Sequence, residues 1–267
     1  MGSFLSFLTP VGVLIGLATG LLSGLMGVGG GIVAVPSMVG ILHLDQHKAH
    51  GTSLAMMVMT ATASALAYFT RGQVDVPLAV TLAVGTICGS FVGAKIMPHV
   101  PAHRLRFIFG SFILLVGLRM IFSWLEPPAS HVDLVFSVEQ IAILLVLGLF
   151  AGALAGLLGI GGGVILVPAM AFLLGVNQHV AQGVSLMVIV PTAITGALTH
   201  YRAGNVVPRL AVSLGASAVI GGLLGSVLAG HIPALELRTG FGVLIVVVAT
   251  RMIVNELRAS RARAARA

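Results

Sequence analysis

The sequence predicts an all-α polytopic membrane protein built from two homologous repeats of five hydrophobic segments each. Hydrophobic residues make up 58% of the 267-residue chain and charged residues only 8%, whereas soluble domains carry roughly 25% charged residues. The stretch between Glu139 and Arg202 contains no charged residue, and it is long enough for about three crossings of about 20 residues each. A further observation, an internal duplication, divides the chain into halves.

The duplication appears when the sequence is shifted by 132 residues, which aligns residues 20–121 with 152–253 without a gap. About forty of the 102 aligned pairs are identical, including GVGGG with GIGGG and QHKAHGTSL with QHVAQGVSL. Hydrophobic composition alone does not produce agreement this dense without an insertion. In membrane proteins, internal repeats of this kind are typical of transporters.

Each repeat divides into five apolar segments, of which the second is short. At about 13 residues it spans only about 20 Å as a helix, less than the hydrocarbon core. The predicted segments are 4–26, 30–42, 52–70, 76–97 and 104–123 in the first repeat, and 138–158, 162–174, 184–201, 208–230 and 236–254 in the second.

The positions of Lys and Arg favour ten crossings with both termini in the cytoplasm. This arrangement puts eleven basic residues inside and three outside, in agreement with the positive-inside rule. In the alternative, eight segments cross the membrane, and the two short segments enter it and return to the same side. This arrangement puts nine basic residues inside and five outside. Because five crossings per repeat is an odd number, we expect the two repeats to be inverted relative to each other.

The chain is therefore expected to contain a first membrane repeat at 1–123, an extramembrane connection at 124–137, a second repeat at 138–254 and a basic cytoplasmic tail at 255–267. The net charge of +7 is explained by this tail and by cytoplasmic loops, so nucleic acid is not an expected partner. The expected partners are the lipid bilayer and a small solute, and the sequence leaves open whether a homo-oligomer forms.

Two glycine-rich breaks interrupt the apolar pattern. The first is LMGVGGGIVAVP at 25–36 and the second is LLGIGGGVILVP at 157–168. Glycine adopts a positive φ and allows close approach of the main chain, and a helix that starts at such a break presents N–H groups that bind anions. We expect these glycines to line a water-accessible anion site near the midplane, although small residues also serve helix packing. The candidate lining residues are Gly29, Gly30, Gly31, Gly161, Gly162 and Gly163.

Recurring hydroxyl groups supply the candidate side chains of this site. Ser53 recurs as Ser185 and Thr60 as Thr192, whereas Thr52 is replaced by Val184 in the second repeat. We expect these hydroxyl groups to donate to an oxyanion, the alternative being hydrogen bonds to their own helix backbone. All seven acidic residues fall in loops or at segment ends, which favours an anion over a cation as substrate.

Three histidines are candidates for proton coupling, with a structural or interfacial role as the alternative. His47 recurs as His179, and His200 ends the third segment of the second repeat, where its counterpart in the first repeat is Tyr68. His43, His47 and His50 are spaced like the ligands of a metal site, but His43 and His50 have no histidine counterpart in the second repeat. No metal or other cofactor is therefore expected.

Asp45 and Asn177 precede the third segment of each repeat. Because a short polar side chain at this position accepts a hydrogen bond from the first turn, we expect both residues to be N-caps.

The paired GxGGG…P pattern, GTSL at 51–54 with its variant GVSL at 183–186, and GALTHYRAGNV at 196–206 resemble the sulfite exporter TauE/SafE family. The resemblance extends over residues 20–254. It implies a permease of the bacterial inner membrane that exports sulfite, organosulfonates or related sulfur compounds. Val184 departs from the family pattern, so a hydroxyl contact made by Thr52 has no counterpart in the second repeat.

Together these features predict a secondary transporter for a small anion, driven by the proton gradient or the membrane potential. A passive anion channel on the same scaffold is the alternative. An enzyme is not expected, because the sequence contains neither HExxH nor G-x-S-x-G, and neither glycine break continues as a nucleotide-binding P-loop.

Overall fold

The computed structural model describes residues 10–96, 102–122 and 137–264, and within these ranges it contains ten α-helices and no β-strand. This confirms the predicted all-α membrane fold. Most of the connection predicted at 124–137 lies outside the described residues. The helices are α1 Pro10–Met26, α2 Gly31–Gly40, α3 Gln46–Phe69, α4 Val76–Ile96, α5 Ala102–Ile121, α6 Val138–Leu158, α7 Gly163–Leu173, α8 Gln178–Arg202, α9 Pro208–Ala229 and α10 Ala234–Ala264.

Three helices extend beyond the predicted segments by six residues or more. Helices α3 and α8 begin six residues early, at Gln46 and Gln178, because polar first turns extend each apolar segment. Helix α10 continues to Ala264, through most of the predicted tail. Within the described ranges, six helices are long and apolar enough to cross a membrane, namely α3, α4, α6, α8, α9 and the part of α10 up to Asn255.

The helices form two compact units, each of which takes helices from both predicted repeats. Among the described residues, one unit contains α1 to α4 and α6 to α9. The other contains α5 and α10, which pack against each other. The glycine breaks and the candidate side chains all belong to the first unit.

In the first unit, α1 packs along α9 and α4 packs along α6. Gly20 of α1 contacts the backbone of Ala218, and Gly93 of α4 contacts the backbone of Ala153. A Cβ atom at either glycine would overlap a main-chain oxygen of the facing helix. These contacts confirm that small residues permit close helix packing here.

Helices α3 and α8 pack against each other in antiparallel orientation. Near the end of α3, Tyr68 contacts Gln182 in the first turns of α8. Near the start of α3, Gly51 lies against His200 in the last turn of α8. The antiparallel packing therefore puts Tyr68 and His200, which occupy equivalent positions in the two repeats, at opposite ends of the helix pair.

Each short helix folds back along the helix that precedes it. Gly30, at the start of α2, faces Thr19 and Ser23 of α1, and further along α2 Met38 belongs to the same buried cluster as Ile15. In the second half of the chain, Gly162 faces α6 in the same way, through Ala151 and Ala155. Both short helices therefore begin at a break in the interior of the unit.

Candidate functional site

The two glycine breaks have the same backbone geometry. Gly30 caps the start of α2 with a φ of 81°, and Gly162 caps the start of α7 with a φ of 75°. Gly29 and Gly161 also have positive φ values, of 81° and 86°. Only glycine adopts this left-handed region at little cost, which explains why the apolar pattern is interrupted by this residue type.

Gly31 and Gly163 require a different explanation, because they are the first helical residues of α2 and α7 and are not among the glycines with positive φ. Each lies against the backbone of the opposite break. A Cβ atom at Gly31 would lie 2.6 Å from Cα of Ile160, and one at Gly163 would lie 2.7 Å from Cα of Val28. Glycine at these two positions allows the breaks to touch.

The contact between the breaks is covered by two side chains that occupy equivalent positions, Met57 of α3 and Ile189 of α8. A Cβ atom at Gly29 would lie 2.9 Å from the Met57 sulfur and 3.2 Å from the end of Ile189, and one at Gly161 would lie 2.8 Å from the same sulfur. Met57, Ile189 and all six predicted lining glycines are buried. The water-accessible site expected from the sequence is therefore closed in this conformation.

Ser53 and Ser185 connect each repeat to the break of the other. The Ser53 hydroxyl donates to the carbonyl oxygen of Gly159 over 3.1 Å, and the Ser185 hydroxyl donates to the carbonyl oxygen of Gly27 over 2.7 Å. The last carbonyl groups of a helix have no partner within it, and these serines supply one just beyond the ends of α6 and α1. In this conformation both hydroxyl protons are used within the protein.

The three predicted threonines also have partners within the protein. Thr52 accepts a hydrogen bond of 3.0 Å from the Val207 N–H group. Thr60 and Thr192 donate to the carbonyl groups four residues earlier on their own helices, over 3.3 and 2.7 Å, and Thr192 also lies 2.8 Å from the hydroxyl oxygen of Thr86. Contact of these threonines with a substrate stays a prediction.

The N-cap predictions are confirmed at both sites. Asp45 and Asn177 accept hydrogen bonds of 2.9 Å from the backbone N–H groups of His47 and His179. The His47 side chain is exposed and that of His179 is half-buried. Both imidazole rings therefore lie at helix ends, away from the contact between the breaks.

His200 is buried, and its Nε2–H group donates to the Gly156 carbonyl oxygen over 3.0 Å. The carbonyl cannot donate, so this contact requires the proton on Nε2. Among the residues that the structure describes, no group of three or more His, Cys, Asp or Glu side chains is arranged to hold a metal ion.

Two residues beside the first break were missed by the sequence analysis. Thr19 and Ser23 are 0% exposed, and neither hydroxyl group has a hydrogen-bond partner among the described residues. The signal that could have found them is the comparison of the repeats, because the residues at the same offset of 132 are Ala151 and Ala155. At this place the two breaks differ chemically although their backbones correspond.

Two apolar grooves lie beside the α3–α8 pair and do not have the character of an anion site. One, of about 510 Å³, is formed by α3, α4 and α8, and the other, of about 330 Å³, is bounded by α3, α8 and α9. Aliphatic and aromatic side chains, including Leu66, Phe69 and Leu198, dominate their walls. Such surfaces suit contact with apolar groups rather than with a charged solute.

The profile of the sulfite exporter TauE/SafE family matches residues 6–120 and 144–267. A probable membrane transporter protein of Xylella fastidiosa strain Temecula1 is 31% identical over 250 residues, covering 91% of this chain and 92% of that protein. The probable membrane transporter protein YunE of Bacillus subtilis is 30% identical over 234 residues, covering 80% of this chain and 86% of YunE. No solved structure matches the chain. The chain thus belongs to the sulfite exporter TauE/SafE family.

Proposed function

We propose that this protein is a secondary transporter that exports a small anion, namely sulfite, an organosulfonate or a related sulfur compound, across the bacterial inner membrane. Family membership supports the transporter class, as do the names of the relatives. The anionic character of the substrate is argued from the residues of the chain itself.

The contact between the two breaks is the observation that carries the proposal. It brings the N-termini of α2 and α7 toward the same buried region, since Gly31 lies against Ile160 and Gly163 against Val28. Each N-terminus carries about half a positive charge and unpaired N–H groups. Glu139, in the first turn of α6, is the one acidic residue in the eight helices of this unit, so the region favours a negatively charged solute.

The packing of α3 and α8 supports two inverted repeats. These helices occupy equivalent places in the duplicated sequence, and they run antiparallel. An inverted repeat allows one half to move against the other around a site at their interface. The arrangement fits ten membrane-embedded segments with both termini in the cytoplasm, in which the two short helices start at the breaks.

The closed conformation suits an occluded step of alternating access. The hydrogen bonds from Ser53 to Gly159 and from Ser185 to Gly27 hold the breaks against the opposite repeats. Breaking one bond while keeping the other would open the site toward one side of the membrane. Ser53, Ser185 and the six lining glycines would then contact the substrate, as would Thr52, Thr60 and Thr192 if they exchange their present partners.

The energy source in this proposal is the proton gradient or the membrane potential. The candidate proton carriers are His47, His179 and His200. Of these, His200 is buried and contacts Gly156, which lies just before the second glycine break. Substitution of the coupling histidine by glutamine would leave exchange of sulfite for sulfite intact and abolish accumulation driven by a pH gradient. This comparison separates coupling from substrate binding.

Flux measurements in proteoliposomes test the proposed function. A secondary transporter gives sulfite flux that saturates with concentration, shows counterflow, and responds to an imposed pH gradient or membrane potential. A passive channel gives flux that rises linearly with concentration and an ohmic current in a planar bilayer. The absence of flux for sulfite, methanesulfonate and taurine would contradict the proposed substrate class.

A further inference from the structure

We propose that the two breaks bind the oxyanion unequally, and that the first break holds it more tightly through the hydroxyl groups of Thr19 and Ser23 and the N-terminus of α2. This inference rests on the proposed transport function and assigns the side chains that hold the substrate. It differs from the sequence-based expectation, in which Ser53 and Ser185 contribute equally from the two repeats.

The first argument is that Thr19 and Ser23 have hydroxyl groups without a partner. Buried polar groups in native proteins are nearly always hydrogen-bonded, so an exception indicates a missing ion, water or ligand. Both residues are 0% exposed, and neither hydroxyl group has a partner among the described residues. Ser53 and Ser185, by contrast, already donate to backbone carbonyl groups.

The second argument is the position of these two side chains beside a helix N-terminus. The Thr19 methyl group and the Ser23 Cβ atom are among the three atoms closest to a Cβ placed on Gly30, with Ser23 Cβ at 3.5 Å. Gly30 is the N-cap of the ten-residue helix α2. The N–H groups of Gly31 and Ile32 lack partners within that helix, and the helix dipole favours negative charge there.

The spacing of the two side chains fits an anion with several oxygens. Thr19 and Ser23 are four residues apart on α1, so their Cβ atoms are roughly 5–6 Å apart on one helix face. Hydroxyl donors at this separation reach two different oxygens of one anion, each over about 2.7 Å. Sulfite and the sulfonate group have three oxygens each, so the third is left for the amides of α2.

The third argument is the contrast with the second break. A Cβ atom placed on Gly162 would lie 3.2 Å from the carbonyl oxygen of Ala151 and 3.5 Å from the Cβ atom of Ala155. These alanines lie at the offset of 132 residues from Thr19 and Ser23. The second break therefore offers a similar backbone without counterparts of these two unpartnered hydroxyl groups, and the two halves of the transporter bind the substrate unequally.

The test uses the full-length protein in nanodiscs with sodium sulfite as the ligand. Thr19→Val and Ser23→Ala remove the hydroxyl groups with little change of shape. Thr62→Val and Ser226→Ala are matched controls, since both hydroxyl groups donate to carbonyls of their own helices. Isothermal titration gives the dissociation constant, thermal unfolding without ligand reports stability, and counterflow of labelled sulfite in proteoliposomes reports transport.

We expect each of Thr19→Val and Ser23→Ala to weaken sulfite binding by about tenfold or more, as for a lost hydrogen bond to a charged group. Their unfolding temperatures without ligand should not fall, because the hydroxyl groups have no partner to lose. The controls should bind within twofold of the unsubstituted protein. Unchanged sulfite affinity in both variants, or a weakening that the two controls share, would overturn the assignment.

The same experiment separates this assignment from the proposed function. If the unsubstituted protein transports sulfite and both variants bind and transport it normally, the assignment fails and the transporter proposal stands. If the unsubstituted protein binds sulfite through Thr19 and Ser23 without counterflow, the assignment stands and secondary transport fails. Absence of both sulfite binding and sulfite flux would overturn the two together.

Discussion

The hydroxyl group of Ser185 donates a 2.7 Å hydrogen bond to the carbonyl oxygen of Gly27, 158 residues away in the sequence. The aligned pair, Ser53 and Gly159, makes the same contact over 3.1 Å. Each serine therefore binds the break of the other repeat. This reciprocal pair connects the two halves of the chain at the place where the substrate is proposed to bind.

Removing these hydroxyl groups should destabilise the closed conformation. We expect Ser185→Ala and Ser53→Ala each to lower the free energy of unfolding by about 0.5–2 kcal/mol, because a buried carbonyl oxygen loses its partner. Because the hydrogen bond of Ser185 is shorter than that of Ser53, we expect Ser185→Ala to lower the free energy of unfolding more than Ser53→Ala does. Thermal unfolding in detergent measures the change, with Thr81→Val as the control, because the Thr81 hydroxyl donates to a carbonyl of its own helix, α4. Unfolding of both serine variants at the wild-type temperature would show that the bonds do not hold the breaks together.

The caps of α3 and α8 should contribute to stability independently of transport. Asp45→Ala and Asn177→Ala each remove the acceptor for one first-turn N–H group, and loss of such a cap costs about 1 kcal/mol. Asp45→Asn keeps an acceptor and should retain most of the stability. Equal destabilisation by Asp45→Asn and Asp45→Ala would argue against the capping role.

Tyr68 should be needed for the packing of α3 near the end of α1. Its hydroxyl group lies 3.0 Å from both the Gly24 carbonyl oxygen and the Gln182 side chain. Hydrogen bonds between membrane helices contribute about 0.6–2 kcal/mol, so Tyr68→Phe should lower the unfolding temperature measurably. Tyr201→Phe is the matched control, because Tyr201 is 60% exposed. A larger effect of Tyr201→Phe would contradict this role for Tyr68.

Inverted repeats place corresponding loops on opposite sides of the membrane. Thr70 and Ala203 are exposed residues at the ends of α3 and α8. With Cys88 replaced by serine, we expect Thr70→Cys to react with an impermeant maleimide from the periplasmic side. Ala203→Cys should react only from the cytoplasmic side. Labelling of both cysteines from the same side would contradict the inverted arrangement.

Much of the fold follows from local patterns in the sequence. The long apolar runs predicted the helices, and the glycine breaks predicted the first residues of α2 and α7 to within one residue. Asp45 and Asn177 were recognisable as caps because their effect depends only on neighbouring residues. The duplication, read at a fixed offset of 132 residues, predicted which positions correspond.

The pairing of side chains across the unit could not be predicted in the same way. That Ser185 reaches Gly27, or that Met57 covers both breaks, depends on how α3 and α8 pack, and residue spacing does not specify it. Thr19 and Ser23 are replaced by alanine at the equivalent positions of the second repeat, so recurrence gave no signal for them.

Sulfite counterflow in proteoliposomes containing glycine variants tests the central claim most directly, namely that the contact between the breaks forms the anion site. Gly31→Ala and Gly163→Ala each place a methyl group against the backbone of the opposite break, whereas Gly40→Ala, also in α2, has no neighbouring atom within 4 Å. We expect the first two variants to insert into the membrane and to lose at least about tenfold in counterflow rate, as for a barrier raised by about 1.4 kcal/mol. Gly40→Ala should transport normally. Normal counterflow in both Gly31→Ala and Gly163→Ala would contradict the claim.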